Sequence, residues 1–290
     1  MNITDWVNIE SSEETTFRKI IHTILLAVSR DKNLSHTLVF KGGIIMSLVY
    51  AGNRFTSDLD ATSLLSMDEL SPEKLETDLE KQLKASEIEL NYGLAFKVHS
   101  VKPQPAKTYK EIKFPSYKVT VGYAKTDNNK EMGRLRNKQS HNTITIDISF
   151  NESVTVADTE CLELKEGRNI LCYSLEQLIA EKYRSLLQQV KRNRTRRQDV
   201  FDIYQLLVKY KEHFNDSNTK ESVLNKLKKC SQGKEIDGFL HQEGIFDERI
   251  KQMALGDFET LELEIDLEKI GVSPEDMFNV VSDYFRSLPW

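Results

Sequence analysis

KGGIIMSLVYAGNRFTSDLD, residues 41–60, is the stretch around which the rest of the chain makes sense. A short apolar run at 37–40 ends at Gly42 and Gly43. An apolar segment follows at 44–50, then a loop at 52–55, and the stretch closes on Thr56-Ser57-Asp58-Leu59-Asp60. If residues 57–62 form a strand, Asp58 and Asp60 point to one face, roughly 7 Å apart along it. Two carboxylates aimed at one point suit a hard cation such as Mg²⁺, which takes anionic oxygen ligands and is usually shared with substrate phosphates. The glycine pair would open a helix whose first N–H groups lack internal partners and attract anions. Alone, the glycines read as a plain turn. With the two aspartates at this distance they describe a nucleotide site, with Thr56 on the aspartate face and Arg54 either a surface ion pair or a phosphate clamp.

Working outward, residues 142–149 alternate strictly. Ile144, Ile146 and Ile148 face one way, and Thr145, Asp147 and Ser149 face the other. Asp147 is therefore either a third carboxylate for the site or an acid on a solvated sheet face. Strands are also predicted at 94–101, 117–123 and 154–164, and helices at 15–29 and 71–86, the latter signalled by Ser71-Pro72-Glu73. The polar segment 125–142 reads as a mobile loop or as a substrate contact, and 102–115, with three prolines, as a loop or hairpin connection. Lys41 reads either as an exposed turn lysine or as a phosphate contact, and His22 as a structural histidine.

From Ser174 the pattern turns helical. Ser174 and Gln177 have capping-box spacing, and Leu175, Leu178, Ile179, Leu186 and Val190 form an apolar stripe. Lys182 interrupts that stripe, and a lysine on an inward face is costly unless an anion meets it. The anion could be a structural carboxylate or a substrate phosphate. A basic run, 191–197, joins this helix to a second one carrying Asp199, which could meet Lys182 across the helix pair or simply complement a helix dipole. Asp202 reads as a partner of the arginines.

Three of these segments resemble the nucleotidyltransferase superfamily, and more closely its AbiEii/MenT-like toxin branch. There Gly-Gly and a helix precede Arg-x-Ser/Thr-x-Asp-x-Asp, matched here by Gly42-Gly43 and Arg54-Phe55-Thr56-Ser57-Asp58-Leu59-Asp60. Glu181-Lys182 resembles the family's Glu-Lys segment. Arg196-Arg197-Gln198-Asp199-Val200-Phe201-Asp202 resembles Arg-x-Lys-Asp-x-x-Asp, with glutamine in place of the lysine. The resemblance implies an α+β fold: a mixed β-sheet core with flanking helices over residues 1–170, then a mainly α-helical domain over 171–290 that contributes Lys182 and Asp199 to the site. It also implies a toxin of a bacterial toxin–antitoxin or phage-defence system that transfers a nucleotide from an NTP, with a tRNA 3′ end or other RNA as acceptor and a cognate antitoxin as partner.

The roles expected on that basis are Asp58, Asp60 and Asp147 on Mg²⁺ or Mn²⁺, with Asp147 alternatively a base. Gly42, Gly43, Arg54, Thr56, Ser57 and Arg197 would lie on the nucleotide, with Lys182 on the departing pyrophosphate and Asp199 positioning Lys182. The segment 125–142 and the basic run 191–197 would guide an RNA end. Transfer to a small molecule or to a protein side chain, and a non-catalytic module that binds nucleotide or RNA, are the competing readings.

Composition bounds these expectations. The chain has 290 residues, 29% of them charged, and a net charge of −5, so nucleic-acid contact would need a local basic patch rather than the whole surface. No apolar run reaches the length of a membrane span, and the polar, acidic start lacks the features of a signal peptide, so a cytoplasmic protein is expected. Cys161, Cys172 and Cys230 are too widely spaced for a zinc site or a disulfide framework, and reduced thiols are expected.

Overall fold

The computed structural model describes residues 3–8, 12–50, 58–256, 258–261 and 270–290. The chain divides into two compact units, and among the described residues the break falls between Tyr173 and Ser174.

The first unit is built on one seven-stranded sheet. In chain order it comprises α1 (Ile3–Val7), α2 (Ser12–Arg30), α3 (Lys32–Thr37), β1 (Leu38–Lys41), α4 (Gly42–Leu48), β2 (Leu59–Ser63), α5 (Pro72–Leu90), β3 (Leu94–Gln104), β4 (Ser116–Lys125), α6 (Asn129–Arg136), β5 (Thr143–Ser149), β6 (Thr159–Lys165) and β7 (Arg168–Tyr173). The strand order is β3-β4-β5-β2-β1-β7-β6. β2 runs parallel to β5 and β1 parallel to β7, while the β1–β2, β3–β4, β4–β5 and β6–β7 pairs are antiparallel. The sheet is mixed and the fold is α+β.

Alternation sets the two faces of the sheet. Phe40, Ala61, Ile148 and Tyr117 lie side by side across β1, β2, β5 and β4 and are all buried. Each large apolar side chain withdrawn from water in this way contributes about 1.5–3 kcal/mol. The residues one step along each strand face the other way and carry the polar groups described below.

α2 presents Ile20, Ile21, Ile24, Leu25 and Val28 to the interior and packs on α5 and β7. α5 starts as its sequence signals: Ser71 accepts from the Lys74 amide at 3.2 Å and Pro72 occupies the first turn. Glu89, near the end of α5, receives Arg30 of α2 as well as Lys165 and Arg168 of the last hairpin, the latter two at 2.6 Å each. Burial opposes the Glu89 charge, but the hydrogen bonds and charges of Lys165 and Arg168 prevail and hold its carboxyl down to about 2.

The second unit is helical. It comprises α7 (Leu175–Arg192), α8 (Arg197–Lys209), α9 (Lys211–Asn215), α10 (Ser217–Ser231), α11 (Glu248–Leu255), α12 (Phe258–Leu261) and α13 (Pro274–Arg286). α7 is its central element and packs on α8, α10 and α11. The Tyr183 hydroxyl donates to the Val281 carbonyl at 2.8 Å and ties α7 to α13. Trp290 folds back on the unit: its indole N–H donates to the Phe285 carbonyl at 2.8 Å and the two rings meet at a tilt, centroids 4.7 Å apart.

Two local expectations are corrected. The segment 125–142, read as a loop, contains α6. Asn128 caps it by accepting from the Glu131 amide at 3.2 Å, and Leu135 and Met132 pack on Ala95 and Ala124. The strand expected over 154–164 begins only at Thr159, after a 3₁₀ turn at Val156–Asp158, and β7 follows it where no strand was anticipated. Among the described residues Cys161, Cys172 and Cys230 form no disulfide. Among the described residues no helix is long and apolar enough to cross a membrane.

Candidate active site

On the polar face of the first unit's sheet, a row of charged residues crosses five strands. Lys41 on β1 lies opposite Asp60 on β2, and Asp60 lies opposite Asp147 on β5. Asp147 in turn lies opposite Lys118 on β4, and Lys118 lies opposite Lys102 on β3. Directly paired residues share a face, so two adjacent carboxylates sit between lysines. Neighbouring strands are ~4.8 Å apart, and like charges that close repel unless a cation joins them.

The electrostatics agree with this placement. Asp147 is exposed, but partial desolvation pushes its carboxyl above the ordinary range, Lys118 opposes the shift, and Asp58 adds to it. Asp58 stands just before β2 and is exposed.

The backbone is shaped around Asp60. Gly42 has φ +77°, a left-handed conformation that suits glycine. A Cβ at that position would stand 2.6 Å from Asp60 Oδ2, so a side chain would press directly on the carboxylate. Burial of Ile44, Ile45, Met46 and Leu48 anchors α4, the helix that Gly42 and Gly43 begin. Lys41 is half-buried rather than an exposed turn lysine: its ammonium donates to Ser149 Oγ at 3.0 Å and lies 5.5 Å from the centre of the Tyr173 ring. Ser149 Oγ donates onward to the Ala61 carbonyl at 3.2 Å.

The donor set fits a divalent cation of the Mg²⁺ type. Such an ion is commonly held by one or two carboxylates and completes its shell with water and substrate phosphate oxygens. Asp60 and Asp147 supply that pair from two paired strands. Among the described residues, no three His, Cys, Asp or Glu side chains are gathered closely enough to hold a metal ion by themselves.

The helical unit carries a second charged cluster. Lys182 projects from α7 into the interior and is 8% exposed. Its ammonium donates to Asp199 Oδ1 at 3.1 Å and to Asp202 Oδ2 at 2.6 Å, both on α8. A buried cation persists only with anions and hydrogen bonds around it, and here two carboxylates one turn apart meet it. Asp202, expected beside the arginines, is thus a partner of Lys182.

Asp199 Oδ2 is buried and accepts no hydrogen bond among the described residues, with Arg196 Nε 3.9 Å away. Arg197, the first residue of α8, likewise has a buried Nε without a hydrogen-bond partner among them. Glu181 pairs with Arg184, which also donates to Gln188 Oε1 at 2.8 Å.

Of the residues singled out in the sequence, Gly42, Asp60 and Asp147 come together on the sheet, with Gly43 next in α4 and Asp58 at the strand's entry. Lys182 and Asp199 meet in the helical unit. Arg54, Thr56 and Ser57 lie outside the described residues. Sequence reasoning did not bring Lys118 or Asp202 to these clusters, and gave Lys41 only as a turn lysine or a phosphate contact. For Asp202 a signal existed, because residues three apart on a helix share a face. For Lys41 and Lys118 it lay only in the strand pairing.

A profile of the nucleotidyl transferase AbiEii toxin family, type IV toxin–antitoxin system, matches residues 24–278. No curated protein matches the chain. Among solved structures, JHP933 from Helicobacter pylori is similar over 96% of this chain and 94% of its own, with 18% identity and a TM-score of 0.54. MenT4, a nucleotidyltransferase toxin from Mycobacterium tuberculosis H37Rv, is similar over 98% of this chain and 87% of its own, with 14% identity and a TM-score of 0.52. At these identities the two structures speak to the fold.

Proposed function

This chain belongs to the nucleotidyl transferase AbiEii toxin family and is a nucleotidyltransferase, and from that premise we propose that it moves a nucleoside monophosphate from an NTP to the terminal hydroxyl of an RNA, a tRNA 3′ end foremost. The observation that carries this reading is the Asp60–Asp147 pair, side by side on parallel strands with the Gly42 backbone against Asp60.

In the reaction proposed, the acceptor hydroxyl oxygen forms a bond to the α-phosphorus while the bond from that phosphorus to the α–β bridging oxygen breaks, and pyrophosphate leaves. Asp60 and Asp147, with Asp58, would hold Mg²⁺ or Mn²⁺, which when bound supplies positive charge to the triphosphate. Asp147 either completes that metal set or, where it does not, is the carboxylate beside Asp60 that accepts the hydroxyl proton. Gly42 leaves room for the Asp60 carboxylate, Gly42 and Gly43 remain phosphate-contact proposals from the sequence pattern, and Lys41 balances the carboxylates. Lys182, held by Asp199 and Asp202 in the helical unit, and Arg197 remain phosphate-contact proposals from the sequence pattern. Arg54, Thr56 and Ser57 remain nucleotide-contact proposals from the sequence pattern. A cognate antitoxin, a role in phage defence and a cytoplasmic setting complete the proposal.

The test is incubation of the protein with total tRNA, Mg²⁺ and each NTP labelled at the α-phosphate. Label on tRNA supports the reading and names the donor. Label on the protein, or on a small molecule, replaces the acceptor. No pyrophosphate release with any NTP overturns it.

A further inference from the structure

The row of charges does not stop at the carboxylates. From Asp147 it passes to Lys118 and Lys102, the paired residues of the β3–β4 hairpin, which then runs on to its tip at residues 105–115. Lys118 and Lys102 lie about one and two strand spacings, ~5 and ~10 Å, from Asp147. The tip adds Lys107, Lys110 and Lys113, all exposed, against a single acid, Glu111.

Among the described residues none of these five lysines has a carboxylate within ion-pair distance. Exposed lysines elsewhere do, as in Lys138 with Glu76 and Lys165 with Glu89. Lys118 faces Asp147, and the other four make a run of positive charge that, on a chain of net charge −5, is a local polyanion surface. Aromatic rings interleave with it. Lys110 Nζ lies 5.8 Å from the Tyr109 ring centre and Lys113 Nζ 5.4 Å from that of Phe114. Ile112, 37% exposed, adds an apolar contact. Lysines that track a backbone, with aromatics on which bases can stack, suit single-stranded nucleic acid better than an acidic protein segment, which would find no use for the rings.

We propose that the β3–β4 hairpin is the docking arm for the acceptor strand. Lys118 and Lys102 hold the phosphates nearest the reactive end, and Lys107, Lys110, Lys113 and Tyr109 hold nucleotides further back. This rests on the RNA-transfer reading above for its direction toward Asp147, but binding by the arm is measurable without turnover.

The experiment compares the full chain with Lys107→Gln/Lys110→Gln/Lys113→Gln, confirmed folded by circular dichroism and unchanged Tm. A short fluorescent single-stranded RNA is titrated across a salt series with no NTP present, and tRNA transfer is then measured. Three lysines on a single strand predict a salt slope shallower by about 2 and binding weaker by about tenfold or more at low salt. KM for tRNA should rise while KM for NTP stays as in the parent.

RNA affinity and salt slope equal to the parent's would overturn the docking arm. So would a parent chain that binds no RNA, or one in which the substitutions abolish binding of poly-glutamate alone. If RNA binding is lost as predicted but the parent transfers no label to RNA, the arm stands and the acceptor assignment falls.

Discussion

Gly42 and Asp60 are so close that one added carbon would join them in collision: a Cβ on Gly42 would lie 2.6 Å from Asp60 Oδ2. The glycine's left-handed φ and its missing side chain are both used at this point. Gly42→Ala therefore strains the backbone by about 1 kcal/mol or more and displaces the carboxylate. The expected outcome is a fall in pyrophosphate release well beyond the loss of stability, checked by rate assays beside urea unfolding. Gly133, which has open space where its Cβ would be, is the control. Gly133→Ala should leave the rate unchanged.

The Lys182 cluster makes a prediction about folding. Removing one member of a buried ion pair leaves an uncompensated charge and costs about 3–5 kcal/mol. Lys182→Met leaves both Asp199 and Asp202 without its ammonium and should lower the urea midpoint sharply. Asp202→Asn added to it should recover part of the loss. Additive losses in the double variant would show that the two residues do not share one interaction.

His22 gives a pH dependence whose sign is fixed. Burial lowers its pKa from 6.5 to about 4, with Glu89 opposing and Lys165 reinforcing, and its Nδ1 lies 2.8 Å from the Tyr92 hydroxyl. The folded chain refuses a proton that the unfolded chain accepts. Stability is thus complete above the unfolded value and falls as pH drops from about 6.5 toward 4. Between about pH 7.5 and pH 5 the loss is at most about 2 kcal/mol from this group. His99, also lowered by burial and by the charges of Lys138 and Lys97, adds in the same direction. Unfolding midpoints for His22→Gln should show a shallower slope over this window, and an unchanged slope would contradict the assignment.

Legibility of the sequence followed the range of each interaction. Asp60 and Asp147 stood out because each sits in a short β-forming run on the side opposite buried residues. Lys182 stood out because it interrupts an apolar stripe. Lys41 and Lys118 did not, because their meaning comes from cross-strand register, set by residues far apart in the chain. α6 was hidden for another reason. Asn128-Asn129 and Gly133 read locally as loop, but the helix is held by Leu135 and Met132 packing on β3 and β4. β7 was missed because residues 168–173 sit between a glycine turn and a strong helix cap, and its partner β1 lies more than a hundred residues earlier.

The most direct measurement is the rate of pyrophosphate release by the parent chain, Asp60→Asn and Asp147→Asn, with saturating NTP, Mg²⁺ and tRNA and with folding verified by circular dichroism. Each isosteric change removes one charge from the pair and should lower the rate by about a hundredfold or more, the scale of losing a catalytic electrostatic or acid–base contact. Folded variants releasing pyrophosphate at the parent's rate would contradict the placement of the reaction at Asp60 and Asp147.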